Sequence, residues 1–136
     1  MTTPLEDCRP SPRLRLSALW VSLMFCYVYG DYLGLYVPGK LAAVAEGRMA
    51  FGQLTPASHM AVALMMALPG LMVALTLLLP AWLARWSCVG LGLVYGGIMA
   101  LTMMGGAPGF YLLLGTIEIA LSAAIVWQAL AWPRQP

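Results

Sequence analysis

The stretch MAVALMMALPGLMVALTLLL, from Met60 to Leu79, contains no charged residue, and its only hydrogen-bonding side chain is Thr76. At about 1.5 Å of rise per residue, a helix of this length crosses a hydrocarbon core of about 30 Å. Three further runs of similar length and character lie on either side, Leu16 to Val37, Trp82 to Met104 (with Ser87 as the later alternative start) and Phe110 to Trp132. The runs are continuous and lack the polar/apolar alternation of a membrane β-barrel. Their punctuation is that of helical hairpins: Pro38-Gly39 closes the first run, Pro80 divides the second from the third, and Gly105-Gly106-Ala107-Pro108-Gly109 forms the last turn. The expected fold is therefore all-α, a transmembrane four-helix bundle forming a single membrane domain over residues 1–136.

Composition agrees. The chain is 62% hydrophobic and 9% charged, against about 25% charged residues in soluble domains. A formal net charge of +2, with no cluster of basic and aromatic residues, excludes a nucleic-acid partner. The lipid bilayer is the expected surrounding. Arg9, Arg13 and Arg15 precede an apolar run, as in a signal peptide. That run is too long for a usual signal core and carries Asp31, so it reads as a retained first helix. With both termini on one side, Arg9, Arg13, Arg15, Arg85 and Arg134 lie there, against Lys40 and Arg48 opposite. Basic residues favour the cytoplasmic side, so both termini are expected there. Trp20, Trp82, Trp86, Trp127 and Trp132 then lie toward that interface. Between the first two spans, Lys40 to Phe51 can form a short interfacial helix with Leu41, Val44, Ala45 and Met49 toward lipid, against which Gly47 and Gly52 count.

Two acids fall inside the spans, Asp31 and Glu118. Each costs about 2.5–3.5 kcal/mol near a helix centre on insertion scales. No Lys or Arg within the spans neutralises them. Both are therefore expected to face the bundle interior. Asp31 lies about 9 Å and Glu118 about 12 Å from the same end of the bundle, counted from Val37 and Phe110. At similar depth the two can share a proton, and they are the candidate catalytic pair; the plainer alternative is two separate residues that hold helices together. Tyr27 stands four residues before Asp31, with Met24 and Trp20 on the same stripe. Tyr111, Gly115, Glu118 and Ser122 share a face of the last helix, and Tyr95 is mid-span in the third. Tyr27, Tyr95, Met24, Tyr111 and Ser122 are thus candidate substrate-binding residues, with the carboxyls as acceptors for the tyrosine hydroxyls.

Pro69, near the middle of the second span, removes a backbone donor and frees a carbonyl that a neighbour or water must satisfy. Gly92 and Gly96 form a small-xxx-small pair suited to close helix packing, within the chain or in a homo-oligomer. His59, the one histidine, reads as a solvated residue at a helix mouth. Ten methionines raise copper as an idea, but no Met series stands beside Cys or His in a compact motif. Cys8, Cys26 and Cys88 make no C-x-x-C pair. No metal and no cofactor are expected.

The segment Cys26-Tyr27-Val28-Tyr29-Gly30-Asp31 running on to Pro38-Gly39 resembles an uncharacterised family of small bacterial four-helix membrane proteins. So does Ile117-Glu118-Ile119-Ala120. The resemblance implies a multi-pass protein of the bacterial inner membrane and carries no established activity. Family members often have an acid two residues before the second-helix proline; Ala67 occupies that place, so a third interior carboxyl is missing. A looser likeness to DoxX-like four-helix proteins extends to the fold alone.

Three functions fit these residues. The first is a site for a hydrophobic small molecule, with Asp31 and Glu118 available for acid/base chemistry. The second is a proton-coupled exporter of small molecules, in which an intramembrane acid exchanges a proton for cargo. The third is a non-catalytic accessory subunit docking through Gly92 and Gly96.

Overall fold

The computed structural model describes residues 10–49, 52–53 and 55–133. Four long helices, α1 (Pro12–Gly34), α3 (Pro56–Leu78), α4 (Ala81–Met103) and α5 (Gly109–Leu130), are each long and apolar enough to span a membrane. Between α1 and α3 lie a six-residue helix α2 (Lys40–Ala45) and two short strands, β1 (Arg48–Met49) and β2 (Gly52–Gln53), paired antiparallel. The interfacial helix expected over Lys40–Phe51 thus stops at Ala45. Gly47 follows with φ at 75°, left-handed backbone that a helix does not continue through. Phe51 lies outside the described residues.

Helix ends explain the other shifts in boundary. α1 starts earlier than Leu16 because Ser11 caps it, its hydroxyl accepting from the Leu14 amide, with Pro12 in the first turn. α3 likewise starts at Pro56, where Thr55 and Ser58 cap reciprocally. It ends before Pro80, whose ring holds Leu79 extended.

α1 packs against α3 and α5, α5 packs against α4, and α3 touches α4 only lightly. The apolar core gathers Leu16, Trp20 and Leu23 of α1, Met72 of α3, Cys88 and Val89 of α4, and Ile125 and Ala129 of α5. All of these lie toward the end where α1 begins and α5 finishes. Trp20 is fully buried there, its ring nitrogen donating to the Cys88 sulfur at 3.4 Å. It is a core residue and not an interfacial one; Trp82, Trp86 and Trp127 are the exposed tryptophans.

Only 17–28% of each span's most apolar stretch is buried in the bundle, and the exposed remainder includes Phe25, Leu64, Leu93, Leu101 and Leu113. An outward face this apolar suits lipid and not water.

Arginines close the packed end. The Arg13 guanidinium donates to the carbonyls of Leu77 (2.8 Å) and Leu79 (2.7 Å), which the end of α3 would otherwise leave unpaired. It also lies 5.7 Å from the centre of the Trp132 ring. Arg85 reaches the Leu130 carbonyl at 3.1 Å at the end of α5. These side chains tie neighbouring helices together at that end.

Helix contact is closest between α4 and α5. A Cβ placed on Gly92 would lie 2.8 Å from Val126 Cγ2 and 3.4 Å from the Ser122 carbonyl oxygen. One on Gly96 would lie 3.2 Å from Ser122 Cβ. Both glycines therefore face α5 of the same chain.

Candidate functional site

The half of the bundle away from the arginines opens into a cavity of about 480 Å³. Its walls come from α1, α3, α4 and α5, with Lys40 of α2 and the turn Gly106–Pro108 at one end. It lies beside the weak α3–α4 contact.

Glu118 forms part of the wall and is 2% exposed. Its Oε2 has no hydrogen-bond partner. From α1, Gly30 lies against it: a Cβ there would stand 3.9 Å from Glu118 Oε1 and 3.8 Å from Leu114 Cδ1. A Cβ there would make ordinary contact with both, so α1 passes directly beside the carboxyl at this level.

Asp31, one residue on, also lines the cavity but is exposed. Because α1 ends at Gly34, three residues later, Asp31 sits in the final turn, about 4.5 Å from the helix end. Glu118 lies nine residues into α5, about 13 Å from its start. The ends of α1 and α5 are not level, however: Gly30, one residue before Asp31, lies against Glu118, so what separates the two acids is exposure and not depth. Nor do they bond to each other: among the described residues no hydrogen bond joins the two, and neither pairs with a Lys or Arg. The ion pair among those residues, Arg48 with Glu46, is at the surface.

Three tyrosines contribute to the cavity wall: Tyr27, Tyr95 and Tyr111. The rings of Tyr27 and Tyr95 lie 6.1 Å apart and tilted by 44°. The Tyr95 hydroxyl donates to the Met65 carbonyl and not to a carboxyl. Met65 is four residues before Pro69, so its carbonyl is the one that the proline leaves without an amide donor. The side chain of α4 supplies the bond that the backbone of α3 cannot make. Tyr111 donates to Thr102 Oγ1 at 3.1 Å, and Thr102 donates to the Met99 carbonyl at 2.9 Å.

Two candidates lie elsewhere. Met24 does not line the cavity; its Cε packs 3.8 Å from the position of a Cβ on Gly70, at the α3 proline. Ser122 lies against Gly96 in the α4–α5 contact, its Oγ buried and unpartnered. Gly115, on the same α5 face, is a packing residue, since a Cβ there would lie 2.7 Å from Met103 Sδ and 2.8 Å from Met99 Cε.

Lys40, Thr102, Gly30 and the methionines Met65, Met66 and Met99 belong to the cavity wall without having been singled out for it. Lys40 was legible only as a loop cation. Thr102 had a usable signal, being a hydroxyl near the end of an otherwise apolar helix that also carries Tyr95.

Fold and site together define a small multi-pass helical membrane protein with a partly enclosed acidic cavity. The model of a family of unknown function, DUF6326, matches residues 9–136, and the chain belongs to that family. No curated protein and no solved structure matches the chain.

Proposed function

We propose that the protein is a multi-pass component of the bacterial inner membrane, with both termini cytoplasmic, whose cavity binds a lipophilic small molecule and can exchange protons with it. The observation that carries this reading is the cavity of about 480 Å³ with Glu118 in its wall, buried and with an oxygen left unpartnered. A buried polar atom without a partner is costly to keep, and such atoms concentrate where a ligand or water completes them. The surrounding wall of Met65, Met66, Met99, Ile98 and Leu114 is apolar, with a few convergent polar groups, as small-molecule sites generally are.

Asp31 and Glu118 have different roles in this reading. Glu118 meets the ligand inside the bundle. Asp31, exposed in the last turn of α1, exchanges protons with the aqueous side beyond the end of that helix. Supporting the orientation, Arg13, Arg15 and Arg85 gather at the end opposite the cavity, against Lys40 and Arg48 at the cavity end.

Photolabelling in lipid nanodiscs tests the binding reading. Adamantyl diazirine, mapped by mass spectrometry, should label Met65, Met66, Met99 or Glu118 in a saturable way. Labelling confined to outward residues such as Leu64, Leu93 and Leu113, and rising linearly with probe, would mean that nothing enters the cavity.

A further inference from the structure

The cavity's hydrogen-bonding groups are unequal in kind. Most of the hydroxyl protons in its wall are already committed within the protein: Tyr95 donates to the Met65 carbonyl, Tyr111 to Thr102, and Thr102 to the Met99 carbonyl. What remains for a ligand is mainly acceptor capacity. It comprises the free Glu118 Oε2, the Asp31 carboxyl, the remaining oxygen lone pairs of Tyr95 and Tyr111, and the sulfurs of Met65 and Met66, that of Met99 already facing the Thr102 and Tyr111 hydroxyls. On the donor side stand the Tyr27 hydroxyl and Lys40.

Charge follows the same pattern. Lys40 is the one basic residue in the wall against two acids, and it comes from α2, beyond the end of α1 where Asp31 sits. Glu118, the more buried of the two, has no cation of its own among the described residues. Tyr27, Tyr95 and Tyr111 complete the wall, and tyrosine rings attract cations.

A group complementary to this wall donates hydrogen bonds, accepts few, carries positive charge and tolerates an apolar surrounding. We infer that the molecule taken up here is a lipophilic amine, bound as its ammonium with N–H groups directed at Glu118 and its apolar body against the methionines. The ammonium has donors and no acceptor, so it satisfies the free carboxyl oxygen without leaving a lone pair of its own unmet. A neutral alcohol of the same shape also donates once, but it carries no charge opposite to the carboxylate and so lacks the ion-pair attraction that the ammonium adds to its hydrogen bond. This inference rests on the binding reading above and narrows it to one chemical class.

A matched pair of probes, aminoadamantane and adamantanol, separates the two levels. They share a skeleton and differ in the amine or hydroxyl alone. Binding is measured on the full-length protein in nanodiscs at neutral pH, by displacement of adamantyl diazirine labelling. The amine should bind at least about tenfold more tightly than the alcohol, since it alone adds an opposite charge beside the carboxyl. Glu118→Gln should remove that preference while leaving the weaker alcohol binding in place. Equal affinity of the two probes would overturn the amine assignment and leave the cavity reading standing. Failure of both probes to displace the label would overturn both. Should Glu118→Gln fail to fold, the ratio of the two affinities on the unaltered protein decides the matter alone.

Discussion

Replacing Tyr95 by Phe removes one oxygen and nothing else, and the structure says which group suffers. The Met65 carbonyl loses its donor, and Pro69 ensures that the helix supplies no amide to replace it. Tyr95 is 5% exposed, so water has little access to substitute. Hydrogen bonds between membrane helices average about 0.6 kcal/mol and reach about 1.7 kcal/mol; a buried carbonyl left unpaired costs about 1–3 kcal/mol. The ranges overlap near 1–1.7 kcal/mol, so Tyr95→Phe should destabilise the fold by about 1 kcal/mol, roughly a fivefold fall in the folding equilibrium constant. The decisive comparison is the same change in a Pro69→Ala background. Alanine restores an amide four residues after Met65, and the Tyr95 hydroxyl becomes redundant. There the cost should shrink to within the ~0.3–0.5 kcal/mol scatter of independent sites. Reversible unfolding in mixed micelles, followed by circular dichroism, measures all four corners of the cycle. An equal cost of Tyr95→Phe in both backgrounds would refute the pairing of hydroxyl and proline.

The glycines of α4 sort by what they face. Gly92→Ala should cost about 1 kcal/mol or more, as overpacking does, because a Cβ there meets the stiff Val126 side chain at 2.8 Å, whereas Gly97→Ala, with nothing within 4 Å, should be tolerated; thermal unfolding in micelles ranks them. Gly115→Ala meets only the ends of the Met99 and Met103 side chains, which can swing aside, so it should be milder than Gly92→Ala in the same assay. Arg13→Gln withdraws the charged donor from the end of α3 and should lower stability by about 1.5–3 kcal/mol, the range for hydrogen bonds to charged groups, again read from unfolding in micelles. Reporter fusions at Pro136 should be active in the cytoplasm and those at Gln53 outside it; the reverse pattern would invert the proposed orientation.

The four spans were legible because each hydrophobic run matches the thickness of a bilayer. Their first turns were not, since Ser11-Pro12 and Thr55-Pro56 start helices through capping, which average hydropathy does not register. The short reach of the interfacial helix, six residues, was similar: the chain turns at Gly47 where apolar residues continue. Within the site, residue types and depths both pointed to the cavity, whereas the direction of each side chain was not legible. Counting residues put Asp31 and Glu118 at one level, and Gly30, the residue before Asp31, does lie against the glutamate, but the count said nothing of direction: Glu118 is buried and Asp31 exposed. Helix rotation decided this, and a helix apolar on nearly every side gives little sign of its rotation. The same ambiguity put Met24 and Ser122 with the cavity on shared stripes, when both are taken up in helix contacts. Pro69 did announce a carbonyl in need of a partner, but only the packing of α4 on α3 could identify Tyr95 as the donor.

The central claim is that a lipophilic molecule reaches Glu118 from within the membrane protein's cavity. Carbodiimide labelling measures this most directly. Dicyclohexylcarbodiimide partitions into apolar sites, whereas a water-soluble carbodiimide reaches only solvated carboxyls. After treatment of the folded protein in nanodiscs and peptide mapping by mass spectrometry, the dicyclohexyl adduct should sit on Glu118, and aminoadamantane should slow its formation. The water-soluble reagent should modify the exposed Glu46 and spare Glu118. A Glu118 untouched by the lipophilic reagent, or modified equally by both, would contradict the claim.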